Sequence, residues 1–275
     1  MLPIEKILLP IEFPTASTSV IHEAAILARR FGSEIVILHV LTGSDKTIDE
    51  SDQPLGPEFD AIPIRRMVRR GEPAWAALQV AEEEKADLIM MEPHSTTFER
   101  FLLGSTTARV LRGSGCPVWT GAYLEQLSAA AFDVRNVLCA VDLGPRSEVA
   151  LSWAVPLAAE FGARLTLAHV TSRVEFWGPG GLYINEEWKK ALYDDATERI
   201  HRLQQSAGIH ADVFIGSGDV PKVLAEAVGK THADLLVTAC NPYGGHLRTT
   251  HGFGIICSVP VPVMSVMKVR ATIRT

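Results

Sequence analysis

Lys6-Ile-Leu-Leu-Pro-Ile-Glu12 is a short apolar run that ends in an acid, and Val137-Leu-Cys-Ala-Val-Asp142 is the same device in the second half of the chain. A run of this kind, bounded by turn residues, predicts a strand buried on both faces, as a parallel sheet requires. Each run is followed by a Ser-, Thr- or Pro-containing loop and then an amphipathic segment, Ser19 to Phe31 and Ser147 to Phe161. Both segments stop at a Phe-Gly pair, Phe31-Gly32 and Phe161-Gly162, a helix C-terminal signal. Glu34-Ile-Val-Ile-Leu-His-Val40 and Arg164-Leu-Thr-Leu-Ala-His-Val170 predict the second strands. The spacing is constant, so Glu12 maps to Asp142, Phe31 to Phe161 and His39 to His169.

The two copies then diverge. The second carries a helical stretch from Asn185 to Ala207, with charges on one side and Trp188, Leu192, Ile200 and Leu203 on the other, closed by Gly208. The first has only Thr42 to Ala61 there, rich in Asp, Pro and Gly, which predicts a loop. Register returns with the third strands, Ile62 to Gly71 and Ala211 to Gly218, and with helices that start near Pro73 and Pro221. Ala86-Asp-Leu-Ile-Met-Met91 and Ala233-Asp-Leu-Leu-Val-Thr238 predict the fourth strands, Cys116-Pro-Val-Trp119 and Val261-Pro-Val-Met264 the fifth. The expectation is two doubly wound α/β domains, each with a mainly parallel five-stranded sheet. They span residues 1–121 and 135–275, with a linker at 122–134.

Composition agrees with this. The 275 residues exceed one typical domain, and 47% hydrophobic content supports a sizeable core. A net charge of −6 argues against general nucleic-acid or anionic-membrane binding. Met1-Leu-Pro-Ile-Glu-Lys-Ile7 lacks the layout of a signal peptide, and no stretch has the roughly 18 apolar residues of a spanning helix. Four dispersed cysteines fit a reducing cytoplasm, so the expected location is cytoplasmic.

Open parallel sheets bind ligands outside the carboxyl ends of their strands, where strand order reverses. That directs attention to Glu12 and Asp142 after the first strands, and to the loops after the fourth. In the first half that loop leads through Leu103-Gly-Ser105 into a helix, where Gly104 allows close backbone approach and Ser105 is placed to cap. Free N–H groups at a helix start favour an anion.

Taken in order, the strand ending at Glu12, His39-Val40, Gly71-Glu-Pro73, Ala86 to Met91, Leu103-Gly-Ser105 and Cys116-Pro-Val118 resemble the universal stress protein family. Ala140-Val-Asp142, His169-Val170, Gly218, Ala233 to Val237 and Val261-Pro-Val263 repeat the resemblance, giving the tandem form. The resemblance implies an adenine nucleotide alpha hydrolase-like fold and a stress-response binding module rather than an enzyme. Its ligand would be ATP, with Mg²⁺ only as the nucleotide's companion. Carried over, the lining residues are Glu12, Val40, Gly104, Ser105 and Thr106 in the first half, and Asp142, Val170 and Gly218 in the second.

Both halves depart from the family's ATP pattern. In the first, Glu12 stands for the aspartate, and Glu92 and Ser95 stand where leading glycines belong. In the second, Thr249-Thr250 replaces the Gly-Ser pair, which crowds a phosphate. A nucleotide-free interaction scaffold is therefore the alternative, and a weak ATPase a third reading. The apolar fifth strands predict pairing within one chain, an intramolecular pseudo-dimer, with a further homodimer left open.

Other clusters read as structural. His39 and His169 at strand ends suit hydrogen-bonded packing. Arg65-Arg66 and Arg69-Arg70 suit a solvated or edge face of the third strand. Cys240, His246, His251 and Cys257 match no familiar metal-ligand spacing, and Cys257 is expected to face the core. Ser147, His169 and Asp142 lack the nucleophile turn of a hydrolase.

Overall fold

The computed structural model describes residues 4–11, 18–43, 56–92, 104–122, 132–172, 175–178, 181–239 and 253–267. In the first half the elements are β1 (Lys6–Pro10), α1 (Thr18–Phe31), β2 (Glu34–Leu41), β3 (Ile64–Arg70), α2 (Pro73–Glu83), β4 (Leu88–Met91), α3 (Ser105–Gly113) and β5 (Val118–Thr120). In the second they are β6 (Asn136–Ala140), α4 (Pro145–Phe161), β7 (Arg164–Thr171), β8 (Glu175–Gly178), β9 (Gly181–Ile184), α5 (Glu186–Ala207), β10 (Asp212–Ser217), α6 (Val220–Thr231), β11 (Leu235–Ala239) and β12 (Val263–Val266). A helical segment at 253–258 precedes β12.

The strands form one ten-stranded sheet in the order β10-β7-β6-β11-β12-β5-β4-β1-β2-β3. Within each half all neighbours are parallel. The halves meet through one antiparallel pair, β5 with β12. Its register sets Trp119 opposite Met264, and these are equivalent positions of the two fifth strands. A pseudo-twofold axis therefore passes between them. Phe31 and Phe161, equivalent residues at the ends of α1 and α4, also meet edge to face with centroids 6.1 Å apart. The expected pairing of fifth strands within one chain is what joins the two five-stranded sheets into one.

The inner strands of the sheet are buried on both sides. Alternate residues of β4 divide between two clusters: Leu88 and Met90 belong to the one that includes residues of α1, α4 and α5, whereas Ile89 and Met91 belong to the one that includes residues of α2, α3 and α6. This period-two partition explains why the strands read as unbroken apolar runs. The two Ala-Asp-Leu motifs also do the same work. Asp87 accepts hydrogen bonds from the Glu5 and Lys6 N–H groups at 2.9 and 3.0 Å, and Asp234 from those of Arg135 and Asn136 at 2.8 and 2.9 Å. Each aspartate thus ties the start of a fourth strand to the start of a first.

Helix ends follow the sequence signals. Glu72 caps α2 through the N–H groups of Ala74 and Trp75, and Asn185 caps α5 through that of Trp188. Gly162 and Gly208 close α4 and α5 in the left-handed region at φ 65° and 64°. At α3 the expectation fails: Gly104 is the cap residue and Ser105 already lies inside the helix, with no side-chain cap bond. Thr107 is the hydroxyl that acts there, donating to the Glu92 carbonyl at 2.8 Å and fixing the helix start to the end of β4.

Three further differences concern packing. Part of the expected loop at Thr42–Ala61 is a short 3-10 turn, Pro57–Phe59, whose Phe59 is buried; residues 44–55 lie outside the described residues. Phe59 enters the same cluster that Ile200 of α5 enters. The β8–β9 hairpin was not anticipated. Cys257 is half-buried rather than in the core.

Candidate functional site

Strand order reverses between β4 and β1 in the first half and between β11 and β6 in the second. These are the crevices where such sheets bind ligands. Because β5 and β12 are antiparallel, the carboxyl ends of the two halves lie at opposite edges of the sheet. The sequence-derived residues accordingly form two separate groups.

In the first half, Val40 is the penultimate residue of β2, half-buried against the cluster beneath α2 and α3. Gly104, Ser105 and Thr106 begin α3 on that same face. Among the described residues, the first-turn N–H groups of α3 present hydrogen-bond donors at this edge. Glu12 and Ser95 lie outside the described residues.

In the second half, Asp142 stands two residues beyond β6 and organises a tight turn. Its Oδ1 accepts the Gly144 N–H at 2.9 Å and the Ser147 hydroxyl at 3.1 Å. Its Oδ2 takes Arg146 through Nε at 3.0 Å and Nη2 at 2.9 Å. Burial pushes the Asp142 carboxyl up, but the Gly144 N–H, the Ser147 hydroxyl and the Arg146 guanidinium outweigh it, so the group stays below its usual range. Leu143 in this turn adopts φ 58°, a left-handed conformation uncommon for a branched side chain. Its carbonyl accepts Arg199 Nη2 from α5 at 2.8 Å, so α5 holds the turn from outside.

Val170 lies near the end of β7, paired with Gly216 of β10. Gly218 follows β10 at φ 136° and donates its N–H to the Thr171 carbonyl; Gly71 does the same in the first half, at φ 138° and to Leu41. Both glycines are demanded by backbone conformation. Gly216 is demanded by space, since a Cβ there would lie 2.3 Å from Val223 Cγ1 of α6. The Gly216-Ser-Gly218 motif thus has a complete structural explanation.

The remaining clusters behave structurally. His39 and His169 each bring Nδ1 to a first-strand carbonyl, Ile11 at 3.4 Å and Val141 at 2.8 Å. Ser147 bonds Asp142 directly, with no histidine between them. Arg65 joins Glu34 and Glu84, and Arg69 joins Glu83, along the edge strand β3. Among the described residues no group of three His, Cys, Asp or Glu side chains gathers to hold a metal; Cys240, His246 and His251 lie outside them. No helix among the described residues is long and apolar enough to cross a membrane. The residues that reading the sequence missed are Gly144, Arg146 and Arg199. The first two were legible: a glycine two residues after Asp142 and an arginine four after it form an Asx-type turn continued by an ion pair.

The fold and the repeated edges agree with comparisons to known proteins. The universal stress protein family model matches residues 56–120 and 133–264. Universal stress protein A of Escherichia coli strain K12 is 30% identical over 105 residues, covering 38% of this chain and 73% of that protein. A universal stress protein structure from Archaeoglobus fulgidus superposes with a TM-score of 0.72 at 20% identity, covering 97% of both chains. That of a putative universal stress protein from Pseudomonas aeruginosa UCBPP-PA14 gives 0.73 at 15% identity, covering 96% of this chain and 94% of the other. With two family segments following one another along one sheet, the chain belongs to the universal stress protein family in its tandem form.

Proposed function

We propose that this protein is a non-enzymatic stress-response module whose state is read through adenine nucleotide bound at the carboxyl edges of its sheet. The observation that carries this reading is the Asp142 turn: a carboxylate held at the strand-order reversal, which a nucleoside hydroxyl or amine would reach by exchanging with one of its present partners. Val170 lies at the same edge, and Gly104, Ser105 and Thr106 offer helix-start N–H groups at the opposite one. Mg²⁺ enters only as the companion of the nucleotide phosphates. A binding role is favoured over turnover because Asp142 is ion-paired with Arg146 and kept below its usual range, which makes it a poor general base.

The second reading, a nucleotide-free interaction scaffold, is favoured by one feature: every acceptor position of Asp142 is already engaged within the turn. Thermal unfolding separates the two. Ligand at ten times its Kd stabilises the native state by about 1.4 kcal/mol. ATP with Mg²⁺ is therefore expected to raise Tm by a few degrees at millimolar concentration, without phosphate release. An unchanged Tm leaves the scaffold, and sustained phosphate release that a site substitution abolishes makes it an ATPase.

A further inference from the structure

A carboxylate has about four lone-pair positions, and Asp142 has four donors. Two of them are built in. The Gly144 N–H belongs to the residue that caps α4, and Ser147 lies in its first turn with only 1% of its surface exposed. Neither moves without unmaking the helix start. The other two come from one side chain, Arg146, which is 37% exposed and reaches back to Oδ2 from the second residue of α4. Arg146 is thus the only one of the three partners that can leave with the turn intact.

We infer that Arg146 is the ligand-discriminating residue of the second half: it occupies Asp142 Oδ2, and a nucleoside can donate to that oxygen only by displacing the guanidinium. The inference rests on the nucleotide reading proposed above and says how that site is gated. Displacement is unequal chemistry. A guanidinium makes a charge-assisted fork to Oδ2, whereas a ribose hydroxyl or an exocyclic amine offers a neutral donor. A neutral nucleoside therefore competes poorly.

The α5 helix sharpens the effect. Arg199 pins the Leu143 carbonyl, and Leu143 holds a left-handed φ. The backbone of the turn cannot rotate Asp142 away from Arg146 without breaking that contact. The competition is therefore confined to the arginine side chain.

Adenosine is the probe, because without phosphates it does not sense the loss of a positive charge at a distance. Wild type, Arg146→Ala, Arg146→Lys, Asp142→Ala and the double variant Asp142→Ala with Arg146→Ala are titrated with adenosine by calorimetry. Half-exposed ion pairs are modest, so Arg146→Ala is expected to tighten binding about threefold to fivefold. Arg146→Lys keeps the charge without the fork and should fall between. The gain should vanish when Asp142 is also absent. Wild-type binding that Arg146→Ala leaves unchanged or weakens overturns the gate while sparing the nucleotide reading. Failure of all five proteins to bind adenosine, including those with the arginine removed, overturns the gate; the nucleotide reading falls only if ATP with Mg²⁺ also fails to bind.

Discussion

Glu23 of α1 is the most consequential single residue outside the candidate site. It is 3% exposed and accepts the Trp119 indole N–H at 2.6 Å, with the Ala122 N–H as a second donor. Burial drives its carboxyl up to about 7, against the lowering effect of those two bonds. A carboxyl whose folded pKa lies above its unfolded value makes folding most favourable while it is protonated. That contribution is present below about 4.5 and fades as pH rises through 7, by roughly 3 kcal/mol in total. Urea unfolding of wild type should therefore show stability falling between pH 5 and 8, and Glu23→Gln, which keeps an oxygen for Trp119, should flatten that slope. Equal slopes in the two proteins would contradict the assignment. Glu84 has the opposite sign: bonds from Arg65 and then Lys6 hold it at about 2, so its contribution is present above about 4.5 and lost as pH falls toward 2.

At the scale of elements, α5 is two helices in one. Its C-terminal half buries Ala196, Ile200 and Gln204, and Gln204 Oε1 accepts the Ala211 N–H at 2.9 Å. Its N-terminal half leaves Trp188 66%, Tyr193 52% and Leu192 37% exposed, so the stripe that the sequence shows as one apolar face runs past the domain it covers. Ile200→Ala should cost about 2–4 kcal/mol in chemical unfolding, as buried aliphatic truncations do. Trp188→Ala should cost less than about 0.5 kcal/mol. A larger loss at Trp188 than at Ile200 would mean that the first half of the helix packs against something. This is also where sequence legibility ends. Periodicity marks a face as apolar, but only neighbours decide whether it is covered. The first half of the chain makes the same point in reverse, since Phe59 was hidden in a segment rich in Pro, Asp and Gly and yet joins the core.

The ten strands of the main sheet were legible to within two residues, the inner ones because burial on both faces leaves an unbroken apolar run. The Phe-Gly stops and the Pro-led helix starts were legible because each needs one backbone conformation. The Asp142 turn was half legible. Its carboxylate was found as a strand-end acid, while Arg146 was passed over because its meaning lies in a side-chain geometry that spacing alone permits but does not require.

For the whole molecule, the antiparallel contact between β5 and β12 has a functional consequence. It places the two carboxyl edges on opposite sides of one continuous sheet, so neither half can complete the other's site. The halves share a junction built on Trp119, Met264, Phe31 and Phe161. They do not share a pocket at the carboxyl edges. A ligand at either edge would meet that half's residues alone: Gly104-Ser105 stands at the edge of the first half and Asp142 at that of the second.

The most direct measurement is calorimetric titration of nucleotide-stripped protein with ATP and Mg²⁺, alongside Gly104→Val and Asp142→Ala. The account predicts saturable binding that Asp142→Ala weakens at the second-half edge, with any site at the α3 edge lost in Gly104→Val alone. Binding identical in all three proteins, or no heat at millimolar ATP, would contradict a nucleotide-responsive module built on these edges.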